Sequence, residues 1–182
     1  MKKDLLYSEA FKYAVRGYSV IPVGANKKPL IDWLPFQSKR ASEEEIEAWW
    51  SKWPGAHVGI VTGAISGITV VDIDVKQKKQ TELSTFPTTH TIQTPSGGYH
   101  LYYAYSDAVH TCANAFPQYP YVDIRNDGGY VVAPPSSGYE ILCDTQVSPF
   151  PTTLFPKTKA RKRMRDLVSG GSGSRNDSIA SL

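Results

Sequence analysis

One stretch restricts the fold more than any other: Ile68-Thr69-Val70-Val71-Asp72-Ile73-Asp74, a β-branched run carrying two carboxylates with one apolar residue between them. Side chains of this type favour extended backbone, and along a strand they point alternately to opposite faces. The stretch therefore reads as a strand with Asp72 and Asp74 on one face and Val71 and Ile73 on the other. At about 3.3 Å of rise per residue, the two acid α-carbons stand roughly 6.5 to 7 Å apart. Carboxylates converging from that distance can reach one divalent ion, and a hard cation such as Mg²⁺ takes oxygen ligands while keeping water for substrate phosphates. Two acids that merely end a strand on its solvated side give the same pattern, so the motif leaves both readings open.

The flanking sequence supplies the elements around this strand. Leu6, Ala10, Tyr13 and Ala14 recur at helical spacing up to Gly17, and Tyr18 to Val23 reads as a strand that Pro22 pushes toward an edge or an end. The proline-punctuated loop from Gly24 to Arg40 carries Lys27-Lys28-Pro29, where lysines either meet phosphate or are simply solvated. Ser42 and Glu45 form a capping box, ahead of Ile46, Trp49, Trp50 and Trp53 on one helical face. That stripe is read as core and not as a stacking platform for bases.

Strand-like runs His57 to Thr62 and Ile68 to Asp74, joined by five residues, are expected to form a hairpin. A basic, exposed segment is expected over Lys76 to Gln80. Thr91 to Thr94 and Tyr99 to Tyr103 should pair around Pro95-Ser96-Gly97-Gly98, whose glycines permit positive φ and whose N–H groups can cradle phosphate. Tyr121 to Arg125 alternates again, placing Asp123 and Arg125 on one face. Gly128-Gly129 then turns into Tyr130 to Ala133, and Tyr139 to Leu142 adds a last strand.

With 182 residues, 41% of them hydrophobic, the chain can bury one good core. No run reaches the roughly 18 to 20 apolar residues of a membrane span, and Met1 to Asp4 does not open a secretory signal, so a cytoplasmic protein without a membrane partner is expected. Cys112 and Cys143 form no C-x-x-C pair, and His110 beside Cys112 leaves a zinc set incomplete. Charge is uneven: residues 1–156 balance at −2, whereas residues 157–182 carry +5. The expected organisation is a domain over 1–156, a basic and Gly/Ser-rich linker over 157–174, and the start of a further helical module at 175–182.

Three acids, a Ser-Gly-Gly turn before His100, and Arg125 together suit phosphoryl transfer, because three carboxylates can hold two divalent ions about 3.5 to 4 Å apart. In order along the chain stand Lys28-Pro29, Val58 to Gly63, Ser66-Gly67, Val71-Asp72-Ile73-Asp74, Thr94 to His100, and Val122-Asp123-Ile124-Arg125 through Gly128-Gly129 to Pro134-Pro135-Ser136. This series resembles the bifunctional DNA primase/polymerase (prim-pol) domain of the archaeo-eukaryotic primase superfamily, over roughly residues 7 to 156.

The resemblance implies an α+β protein in which an RRM-like antiparallel catalytic palm is fused to an N-terminal α/β unit, with the active site in the cleft between them. It implies Asp72, Asp74 and Asp123 as ligands of two Mg²⁺ or Mn²⁺ ions, and His100 as a contact of the incoming triphosphate. Ser96, Gly97 and Gly98 would adjoin that triphosphate, with Arg125, Lys28 and Thr62 as further nucleotide contacts. Implied partners are nucleoside triphosphates, single-stranded DNA template and primer, and a C-terminal primase module and helicase in cis, within a phage or plasmid replication protein. A non-catalytic module that binds single-stranded DNA or nucleotide is the alternative, favoured by the basic tail. A sugar-nucleotide transferase also uses D-x-D, but the later motifs argue against it.

Overall fold

The computed structural model describes residues 2–75, 81–114 and 116–155. The expected basic segment at 76–80, linker at 157–174 and helical module at 175–182 lie outside them.

Among the described residues, two α-helices and nine strands follow one another in the order α1 (Lys2–Val15), β1 (Ser19–Val23), α2 (Glu43–Lys52), β2 (His57–Val61), β3 (Ile68–Ile73), β4 (His90–Gln93), β5 (Tyr99–Ala104), β6 (Cys112–Ala113), β7 (Val122–Arg125), β8 (Tyr130–Ala133) and β9 (Glu140–Cys143). The strands form two sheets, β1-β2-β8 and β6-β7-β3-β5-β4-β9, in which every pairing is antiparallel. The architecture is α+β, as expected. No helix among the described residues is long and apolar enough to cross a membrane.

Local chemistry sets each N-terminal element. The Ser42 hydroxyl accepts from the Glu45 N–H, and the Glu45 carboxylate accepts from the Ser42 N–H, closing both ends of the capping box that starts α2. Ile46 and Trp50 are buried from this helix, and the Trp50 indole donates to the Ala56 carbonyl at 3.1 Å. They pack with Leu6 and Ala10 of α1 against Val20 and Val58 on the outer face of the small sheet. Pro22 lies in β1, the edge strand, where its missing N–H costs no ladder bond to a second neighbour.

The inner face of the small sheet looks at the large one. Ile21, Val23 and Val61 meet Ile68 and Val70 of β3, Tyr102 of β5 and Ile92 of β4 in a continuous apolar layer. The outer face of the large sheet, with Val71, Ile73, Leu101, Tyr103, Val122 and Ile124, is covered by Phe86, Phe116, Phe150 and Phe155. Among the described residues, that outer covering contains no α-helix.

The expected β2–β3 hairpin does not form. β2 already pairs with β1 on one side and β8 on the other, and β3 likewise sits between β5 and β7, so neither keeps a free edge for its sequence neighbour. Only a single bridge, Gly63 with Ile68, remains where the chain leaves one sheet for the other. Gly63 has φ +96°, and a Cβ there would lie 2.7 Å from the Asp127 α-carbon, so the crossing requires glycine on two counts. The other expected hairpin is present: β4 and β5 pair from Gln93 with Tyr99 to His90 with Tyr102.

Close approach of the sheets' own chains generates a test. At Gly59 on β2 a Cβ would fall 2.6 Å from Val23 Cγ2 and 2.9 Å from Ile21 Cγ1, both in fully buried branched side chains. Gly59→Ala is expected to lower stability by about 1 to 3 kcal/mol, read from the urea midpoint at unchanged denaturant slope.

Candidate active site

Register places the three chemically active groups in one row. On β3, Asp72 pairs with His100 of β5 on one side and with Asp123 of β7 on the other. Directly paired residues of antiparallel strands share a face, so all three side chains point to the same side as Val70 and Tyr102. That side is the inner one. The strand face is therefore apolar core at Ile68 and Val70 and polar at Asp72.

A cavity of about 310 Å³ opens there, lined by Asp72, Asp74, Thr94, Ser96, His100 and Arg125 from the large sheet and its turns, and by Lys27, Gly128 to Val132 and Tyr139 opposite. A larger cavity, about 470 Å³, lies between α1 and the β4–β9 side and is lined by Tyr13, Arg16, His90 and Asp144 among others. It lacks the acid row, so chemistry and not size selects the smaller one.

Asp72 and Asp123 are 9% and 8% exposed. The Arg125 guanidinium forks between them: Nη2 donates to Asp123 Oδ2 at 2.8 Å and to Asp72 Oδ2 at 3.1 Å, and Nε donates to Asp72 Oδ2 at 3.2 Å. The second Asp123 oxygen accepts the Asn114 N–H at 3.0 Å. Asp74 follows β3 directly, its N–H held by the Tyr121 carbonyl at 2.8 Å, and it lines the cavity beside Asp72. Asp123 does not line it.

His100 is buried, with Nε2 3.5 Å from Asp72 Oδ1 and its ring 5.8 Å from that of Tyr139. Burial pulls its pKa below the ordinary imidazole value; Asp72 opposes this fall, while Arg125 and Lys27 reinforce it. The ring is thus neutral at neutral pH. Its Nδ1 is buried without a hydrogen-bond partner among the described residues.

Ser96 lines the cavity, its hydroxyl 3.1 Å from that of Thr94. Gly97 and Gly98 do not line it, and they differ in what they require. Gly97 has φ +84° with nothing near its missing Cβ, so it serves the turn; Gly98 presses against β3, where a Cβ would stand 2.2 Å from the Ile73 carbonyl oxygen. Thr62 also stays outside the cavity wall: it is 1% exposed and its hydroxyl donates to the Asn126 carbonyl at 2.7 Å.

Of the paired lysines, Lys27 and not Lys28 lines the cavity. The turn from Gly24 gives Lys27 a left-handed φ of 63°, and its ammonium lies 5.9 Å from the Tyr139 ring centre. Two further residues escaped sequence reasoning. Tyr139 closes the wall beside His100. Asn126, fully buried, donates to the carbonyls of Ser106 and Val109 and accepts from Asp127, which fixes the chain immediately after Arg125. An Asn-Asp-Gly-Gly turn marks the place in sequence, but not the anchor's partners, which lie 17 and 20 residues away.

No group of three His, Cys, Asp or Glu side chains among the described residues is gathered closely enough to hold a metal ion. The donor chemistry nevertheless fits a hard divalent cation, since Asp72 and Asp74 open into the same cavity and Asp123 stands next to Asp72. The space between Asp72 and Asp123 already contains a cationic group.

Paired acids and a histidine beside an open, lysine-flanked cavity are donor groups of the kind phosphoryl-transfer sites use. The chain matches the family of the bifunctional DNA primase/polymerase N-terminal domain, Prim-Pol, over residues 10–153, and belongs to it. That family's activity is DNA priming and polymerisation. No curated protein matches the sequence.

The two glycines separate experimentally. Gly98→Ala is expected to cost about 1 to 3 kcal/mol through its clash with β3, and Gly97→Ala about 1 to 2 kcal/mol through left-handed strain alone. Combining Gly98→Ala with Thr94→Ala, which removes the hydroxyl oxygen 3.2 Å from the added Cβ, should not restore stability, because the atom at 2.2 Å is backbone; thermal unfolding of the three variants reads this.

Proposed function

We propose that this domain is a template-dependent DNA primase/polymerase that joins nucleoside triphosphates by nucleotidyl transfer. The observation that carries the reading is the cross-strand row His100–Asp72–Asp123, open on one side to a cavity that also receives Asp74, Ser96, Arg125 and Lys27. In this reading the six-stranded sheet is the RRM-like palm and the gap between the sheets is the cleft.

Asp72, Asp74 and Asp123 would hold Mg²⁺ or Mn²⁺, which when bound supplies charge stabilisation at phosphate oxygens and a more acidic primer 3′-hydroxyl. The protein's own groups do the rest. Lys27 and Arg125 offer cationic donors to the polyphosphate, and the Ser96 hydroxyl and neutral His100 offer uncharged ones. A neutral imidazole contributes a directed N–H without adding a third positive charge to that wall. Lys28, Thr62, Gly97 and Gly98 act one step back in this assignment, by shaping the loop, the β7–β8 turn and the β4–β5 turn. Single-stranded template and primer are the macromolecular partners, and replication of a phage or plasmid is the setting in which such a domain would serve.

Asp72→Asn preserves shape while removing a charge. Primer extension and unprimed synthesis on single-stranded DNA with Mg²⁺ or Mn²⁺ are expected to fall by more than the roughly 10- to 100-fold lost when a supporting residue of a metal site is replaced. Unchanged incorporation by Asp72→Asn would refute the assignment. A domain that binds single-stranded DNA with steep salt dependence yet incorporates nothing would instead be the binding module.

A further inference from the structure

The acid row poses a problem of charge. Asp72 and Asp123 are directly opposed on neighbouring strands, an arrangement that is destabilising for like charges, and both are about nine-tenths buried. Arg125 answers it from the same face of β7 as Asp123, two residues on. Its three donor contacts consume Asp72 Oδ2 and Asp123 Oδ2, while Asn114 takes Asp123 Oδ1. Asp72 Oδ2 and both Asp123 oxygens are therefore already engaged.

A divalent cation that bridges Asp72 and Asp123 through their Oδ2 atoms would stand where the guanidinium does, so ion and fork compete for that place. Arg125 is more open to solvent than the acids it bridges. A third of its side chain is exposed (33%, against 13% and 11% for the two aspartate side chains), and it lines the open cavity. Its backbone, by contrast, is pinned: β7 is paired to β3, and the next residue, Asn126, is locked by its buried bonds.

We propose that Arg125 is a displaceable internal counter-ion: it holds the acid pair together without metal, and a divalent cation takes its place by turning the guanidinium out into the cavity. Swung out, the guanidinium joins Lys27 and presents its planar fork to an anion there, polyphosphate being the anion that geometry suits. Cation and polyphosphate thereby assist each other through one side chain, and by linkage the assistance is equal in both directions. This deepens the polymerase reading and rests on its assignment of Asp72 and Asp123 as cation ligands.

The test uses Mn²⁺ alone, titrated into the full chain by calorimetry and by electron paramagnetic resonance of the free ion. Arg125→Gln is expected to bind Mn²⁺ about tenfold more tightly than the unaltered protein, and to melt lower in chelator with a larger Mn²⁺-induced rise in melting temperature. Arg125→Lys, which keeps the charge and loses the fork, should fall between them. Should Arg125→Gln fail to fold, the unaltered protein labelled at arginine Nε supplies the answer: Mg²⁺ should shift the Arg125 Nε–H resonance and speed its exchange with water. Equal or weaker Mn²⁺ binding by Arg125→Gln, or an Nε–H signal indifferent to saturating Mg²⁺, would overturn the proposal. Tighter Mn²⁺ binding by the variant, with no nucleotide incorporation by the unaltered protein, would uphold the counter-ion and sink the polymerase. Incorporation by the unaltered protein with no change in Mn²⁺ binding would do the reverse.

Discussion

Two carboxylates set face to face across neighbouring strands repel, and the surroundings of Asp72 and Asp123 are organised by that repulsion. In the low-dielectric space between two sheets the repulsion is felt more strongly than in water, and buried charge is tolerated only when it is paired and hydrogen-bonded. Arg125 supplies the pairing, the Asn114 N–H satisfies the outer oxygen of Asp123, and His100 stays neutral beside Asp72. Such an arrangement contributes little net stability compared with apolar packing of equal volume. What it provides is a concentration of oxygen donors at a defined place, held by backbone ladders on both sides of β3.

The small sheet and its helices serve this place from a distance. Their inner face buries the apolar half of β3, and β8, carried by the same sheet, forms the opposite wall of the cavity. Thr62 and Asn126 tie the two sheets together through the Thr62 hydroxyl bond to the Asn126 carbonyl, immediately after Arg125. Within the small sheet, Ser136 just after β8 accepts the Val58 N–H of β2 at 2.9 Å.

Much of this was legible in the residues. Period-two alternation placed Asp123 and Arg125 on one face, the Ser42–Glu45 spacing announced α2, and Pro22 marked a strand edge or end. Alternation says which residues share a face of one strand, but not which strands become neighbours. The β2–β3 pairing was misjudged for that reason: a short connection favours a hairpin locally, and partners distant in sequence, β8 for one strand and β5 and β7 for the other, won. The same limit explains Lys27 and Lys28. Both are equivalent in charge pattern, and only the left-handed backbone at Lys27 decides which one turns to the cavity. Tyr139 and Asn126 carried no motif that distinguishes a wall residue or an anchor from any turn-flanking tyrosine or asparagine.

Because one face of β3 is hydrophobic layer at Ile68 and Val70 and polar floor at Asp72, the width of the opening is inherited from the bulk of side chains several ångströms away. Tyr102, two residues along β5 from His100 on the same face, contributes its buried ring to that layer. Evolution can therefore retune what fits over the carboxylates by trading volume in the greasy layer, leaving every polar residue in place.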